Sequence, residues 1–156
     1  METIPSKQSS ATLPGGLPPT KEADRGQVIL LVEDDPQVRE FTRDVLRRAG
    51  FQVLAADSER QALWLWTRHS RQIDLLLTDM LIPHCSTGVE LAKKLQNSKV
   101  GLPVVYISGF GREINDCDRA FFQQSLFLQK PVPPGALIEA VSASLKSARK
   151  KRIVSN

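Results

Sequence analysis

A chain of 156 residues with 41% apolar residues and a net charge of +4 is long enough for one domain with a sizeable core. The positive excess is local: Lys146, Arg149, Lys150, Lys151 and Arg152 fall within seven residues and the remainder is near neutral, so no basic face for nucleic acid is expected, and the cluster is read as a solvated helix end before a lipid or nucleic-acid patch. Cys85 and Cys117 lack metal-ligand spacing, and neither an apolar leader nor a membrane-length segment occurs, so a cytoplasmic protein with reduced thiols is expected, with no membrane partner.

Residues 1–25 carry Pro5, Pro14, Gly15, Gly16, Pro18 and Pro19 among polar residues, and read as a flexible leader. From Gln27 the texture changes. Val28–Val32 is uniformly apolar, the pattern of a strand covered on both faces, and it ends in Glu33-Asp34-Asp35. Asp35-Pro36 opens a helix as N-cap and first-turn proline. Val38, Phe41, Val45 and Ala49 mark its apolar face, and Gly50 closes it. Phe51–Ala56 is a weaker strand, and Ser58 with Gln61 reads as a capping box for a second helix.

A third strand, Leu75–Leu77, runs on to Asp79; a helix is expected over Val89–Leu95. Val104–Ile107 is the fourth strand and ends in Ser108. Residues 112–123 form a poor helical pattern, with Ile114, Cys117, Phe121 and Phe122 its only apolar points apart from Ala120. Leu126–Leu128 is the fifth strand, followed by Lys130. Pro133-Pro134 begins a last helix with Leu137, Val141 and Leu145 on one face. The boundaries are then a leader at 1–25, a domain at 26–148 and a basic tail at 149–156, the tail being a solvated helix end whose cations complement the helix dipole.

Strand and helix alternate five times. That order implies an α/β fold: a (βα)5 doubly wound, parallel five-stranded sheet in the flavodoxin-like order 2-1-3-4-5. In such a sheet the carboxyl ends of the strands share one edge, where ligands bind. Glu33, Asp34, Asp79, Ser108 and Lys130 all fall there. Clustered carboxylates repel one another, and a hard cation such as Mg2+, which keeps several waters, is the natural compensation. With Lys130 it would hold Asp79 ionised as a nucleophile toward phosphorus, and with Ser108 it would bind the phosphoryl oxygens.

Four stretches together carry a resemblance: Ile29-Leu-Leu-Val-Glu-Asp-Asp-Pro36, Asp74-Leu-Leu-Leu-Thr-Asp-Met-Leu-Ile-Pro83, Pro103-Val-Val-Tyr-Ile-Ser-Gly109 and Leu128-Gln-Lys-Pro131. Over about residues 27–147 the chain resembles the receiver domain of two-component response regulators, in a style similar to the receivers of hybrid histidine kinases. The resemblance implies that Asp79 is the phosphoacceptor and that Glu33, Asp34, Asp79 and the Leu81 backbone carbonyl hold Mg2+. It implies that Ser108 and Phe127 are the switch residues, that Lys130 pairs with the phosphoryl group, and that the bond before Pro131 is cis. The phosphate would come from a histidine kinase or histidine phosphotransfer protein. Output would pass to a downstream protein target or a homodimer.

Glu33 stands where the family more often has Asp, a change of reach and not of charge. Asp35 reads as a helix cap and not a ligand, because it precedes Pro36. The loop 83–88 is one residue longer than the commonest receiver version; His84 and Cys85 within it read as ordinary loop residues. Trp64 and Trp66, two apart, face different sides of their helix. Leu81 and Phe110 flank the site and have no group to orient water, so any self-dephosphorylation is expected to be slow. The chain is therefore not expected to be an enzyme in its own right. A Mg2+-dependent aspartyl phosphatase is the enzyme alternative, disfavoured because Leu81 stands where a general acid belongs. An inert pseudo-receiver that binds protein without chemistry is the other.

Overall fold

The computed structural model describes residues 26–81, 87–109 and 125–155. Five parallel strands form one sheet in the order β2-β1-β3-β4-β5: β1 Val28–Val32, β2 Gln52–Ala56, β3 Ile73–Asp79, β4 Val104–Ser108 and β5 Leu126–Gln129. Four helices are described, α1 Pro36–Arg48, α2 Glu59–His69, α3 Gly88–Ser98 and α4 Pro134–Val154. The helical pattern expected at 112–123 lies outside the described residues.

The uniform apolar run of β1 is explained by its position. Ile29 and Leu31 face one core with Leu46, Leu75, Leu77, Leu137 and Val141, beneath α1 and α4. Val28, Leu30 and Val32 face a second core with Trp66, Leu76, Leu91, Leu95 and Tyr106, beneath α2 and α3. Every residue of β1 is thus buried, each large side chain contributing about 1.5–3 kcal/mol of transfer free energy. The edge strand β2 is only partly covered, which accounts for its weaker apolar signal. Trp66 lies in the core and its indole donates to Ser98 Oγ, whereas Trp64 is exposed with the Arg68 guanidinium stacked over its ring.

At the amino edge of the sheet the β1–β3 register slips between Val28 and Ile29. Asp74 Oδ2 accepts from the Val28 amide at 3.0 Å there, and Lys99 Nζ donates to the carbonyls of Ser70 and Ile73. Burial lowers the Lys99 pKa, with Asp74 opposing the shift. The basic residues from 149 onward form the end of α4, which runs continuously to Val154 and carries Lys151 and Arg152 in its last turn. No helix among the described residues is long and apolar enough to cross a membrane.

Candidate functional site at the carboxyl edge of the sheet

β1, β3, β4 and β5 end side by side and deliver Glu33, Asp34, Asp79, Ser108 and Lys130 to one edge. Glu33 continues β1, its amide bonded to the Ala56 carbonyl at 3.1 Å, and its side chain is buried. Glu33 Oε1 accepts from the Asp35 amide at 3.2 Å, and Oε2 lies 3.0 Å from Lys130 Nζ. Burial raises the Glu33 pKa, and Lys130 offsets only part of the shift. Asp34 is exposed at the rim.

Asp79 ends β3 and is also buried. Its Oδ1 accepts from the Leu81 amide at 2.9 Å and its Oδ2 from Lys130 Nζ at 2.7 Å. Lys130 follows β5, its amide bonded to the Ser108 carbonyl at 2.8 Å, and the Lys130–Pro131 peptide is cis. Burial alone would lower the Lys130 pKa, but the hydrogen bonds it donates to Asp79 and Glu33, with their charges, outweigh it and hold the ammonium above its ordinary value. One lysine therefore faces two buried acids, Glu33 and Asp79, at the end of the leucine run of β3.

One carboxylate oxygen from each of Glu33, Asp34 and Asp79 lies within 4.8 Å of the others. The donors are all oxygen, and three carboxyl groups cluster beside a single lysine. That set is compatible with Mg2+, which needs few carboxylates. Asp35 does not join it: its Oδ1 accepts from the amides of Gln37 and Val38 as the N-cap of α1. Ser108 reaches the same edge, where its hydroxyl donates to the Gly109 carbonyl at 2.7 Å. Phe127, one strand over, stacks on Tyr106 with ring centroids 5.3 Å apart. Leu81 is exposed, while His84, Cys85 and Phe110 lie outside the described residues.

Three contacts went unnoticed in the sequence. Arg39 Nη1 donates to the carbonyls of Glu33, at 2.8 Å, and Asp34, at 3.2 Å. Thr78 Oγ1, buried, donates to the Asp79 carbonyl. Gly88 opens α3 so close to β3 that a Cβ there would sit 2.0 Å from the Asp79 carbonyl oxygen. Only Gly88 left a mark in the sequence, as a glycine at the start of a helical pattern; Arg39 looks like any other arginine of α1.

Comparison with known proteins identifies the family. Residues 29–142 match the response regulator receiver domain family. The phosphate regulon transcriptional regulatory protein PhoB of Pseudomonas aeruginosa is 30% identical over 123 residues, covering 78% of this chain and 52% of PhoB. The response regulator protein PilR of the same organism is 32% identical over 121 residues, 77% of this chain and 26% of PilR. This chain thus spans about half of one relative and about a quarter of the other. Among solved structures, a response regulator receiver protein from Sinorhizobium medicae superposes with a TM-score of 0.69 at 28% identity, over 79% of this chain and 97% of that one. The receiver domain of the hybrid histidine kinase CckA gives 0.63 at 30% identity, over 76% and 98%. Carrying this fold and an acid cluster at the carboxyl edge of its sheet, the chain belongs to the family of receiver domains of two-component response regulators.

Proposed function

We propose that Asp79 accepts a phosphoryl group from the phosphohistidine of a histidine kinase or histidine phosphotransfer protein. The observation that carries this reading is the Lys130 ammonium bridging Asp79 Oδ2 and Glu33 Oε2, at 2.7 and 3.0 Å, inside a cluster of three carboxylates. In the transfer, an Asp79 carboxylate oxygen forms a bond to phosphorus as the phosphorus–nitrogen bond breaks. The electron pair leaves on the imidazole nitrogen of the donor. Glu33, Asp34, Asp79 and the Leu81 carbonyl are the groups that would hold Mg2+. Bound there, the ion would supply Lewis-acid stabilisation of the phosphoryl oxygens. Lys130 is free to exchange its bond to Asp79 Oδ2 for one to a phosphoryl oxygen. The Ser108 hydroxyl, now on the Gly109 carbonyl, turns to the same group, and Phe127 follows the movement of β4 and β5.

The acyl phosphate is expected to be long-lived, because Leu81, exposed beside the acceptor, has no polar group with which to orient an attacking water. Output then passes in the cytoplasm to a downstream protein or a second copy of the chain. The test is intact-protein mass after incubation with acetyl phosphate, with and without Mg2+, beside Asp79→Asn. One Mg2+-dependent phosphoryl adduct, absent from Asp79→Asn, is expected. No adduct under any condition would replace this reading with that of an inert binding module.

A further inference from the structure

Between the last ladder bond of β1 and the first turn of α1 lie two backbone carbonyls, those of Glu33 and Asp34. The Glu33 amide belongs to Ala56 and the Asp35 carbonyl takes the Arg39 amide at 2.9 Å, so sheet and helix hold the ends of this loop. Arg39 closes its middle. It stands one turn into α1, half-buried, and side chains on a helix lean back toward the N-terminus. A single guanidinium nitrogen donates to both carbonyls, at 2.8 and 3.2 Å.

We infer that Arg39 is a positioning residue for the divalent-cation site: by tying together the carbonyls of Glu33 and Asp34 it directs both carboxylates toward Asp79. The inference rests on the reading of the acid cluster as a cation site. The backbone torsions at Glu33 and Asp34 decide where these two side chains go, and no other side-chain donor is found on the two carbonyls among the described residues. The Asp35 amide on Glu33 Oε1 and the Asp35 cap stiffen the same loop from its other end.

Position and charge predict opposite signs. A cation beside three acids repels a second cation, so if charge were all that Arg39 brought, removing it would tighten binding. If Arg39 sets the loop, removing it loosens binding, and supporting residues of this kind typically change metal affinity by about 10–100-fold. Mg2+ alone is titrated by calorimetry into the wild-type chain, Arg39→Met, Arg39→Lys and Arg43→Met, at a temperature where circular dichroism shows each to be folded. Arg43 lies on the same helix and pairs with Glu40 and Asp44, so its loss removes equal charge without touching the loop. Binding should weaken in Arg39→Met, recover in part in Arg39→Lys and hold in Arg43→Met, with faster amide exchange at Asp34 and Asp35 in Arg39→Met. Unchanged or tighter binding in a folded Arg39→Met overturns the inference. Should Arg39→Met not fold, wild-type affinity and exchange in Arg39→Lys would overturn it, and weakened binding would support it. A wild-type chain that takes no Mg2+ sinks the cation site, and the inference with it; wild-type binding with an indifferent Arg39 sinks the inference alone.

Discussion

Glu33 sets stability against its proposed function in one side chain. It is 1% exposed, and burial raises its pKa above the ordinary 4.5 despite the Lys130 ion pair. Between the ordinary and the raised value, the folded chain holds a proton that the unfolded chain has lost. The slope of stability with pH is therefore negative across that window, and the cost of ionised Glu33 is fully present above it. Glu33→Gln should abolish this part of the slope and raise the melting temperature of metal-free protein at neutral pH, while weakening Mg2+ binding. Calorimetric melts across pH without Mg2+ would show it; a less stable Glu33→Gln at neutral pH would mean that the ion pair with Lys130 outweighs the burial of the charge. The acids and the lysine were legible in the sequence because each breaks or follows an apolar run. Arg39 was not, since it acts on backbone carbonyls, and such a contact leaves no pattern in residue types; Gly88 left only a glycine at the start of a helical pattern, with nothing to say that it meets the Asp79 carbonyl.

Elements reproduce the sequence reading at the start of α1 and depart from it at the starts of α2 and α3. The N-cap Asp35 and first-turn Pro36 of α1 stand as the dipeptide implied. At α2 the Ser58 hydroxyl accepts from the Gln61 amide, but Gln61 Oε1 reaches back to the Asp57 amide and not to that of Ser58, so the box closes one residue early. A full capping box does occur at α3, between Thr87 and Glu90, and its Thr-x-x-Glu signature was in the sequence but went unread. Two substitutions separate local from distant constraint. Asp35→Ala removes two hydrogen bonds to α1 amides and should cost about 0.5–2 kcal/mol, with Asp35→Ser recovering most of it. Gly88→Ala drives a methyl into the Asp79 carbonyl, where the nearest atom is fixed backbone, and should cost about 1–3 kcal/mol or more. Denaturant melts rank the two; a Gly88→Ala as stable as wild type would show that α3 can shift away from β3 freely.

Across the whole molecule the sheet is graded from a buried centre to an open edge. β1 and β3 are enclosed on both sides, whereas β5 is the least covered of the described strands next to the site, with Leu126 exposed and Phe127 and Leu128 only half-buried. Rearrangement costs least where the fewest buried contacts must be remade, so β5 is where a change at Asp79 reaches the surface most cheaply. The route is short. Asp79 is in register with Ile107, Tyr106 with Phe127, and the Lys130 amide holds the Ser108 carbonyl. Tyr106 is the only tyrosine of the chain, and burial holds its phenol well above its ordinary pKa, so it stays neutral through the working pH range. Its ring, stacked on Phe127 at an interplanar angle of 19°, is thus a single built-in reporter. With selectively labelled tyrosine, the ring resonances should move when acetyl phosphate and Mg2+ are added, and stay fixed in Asp79→Asn. On the proposed reading, Ser108→Ala should still accept phosphate on Asp79 but show a smaller movement at equal adduct, because the hydroxyl proposed to link the phosphoryl group to β4 is gone. A Tyr106 signal that stays in place while the mass spectrum shows full phosphorylation would place the transmitted change elsewhere than along the β4–β5 pair.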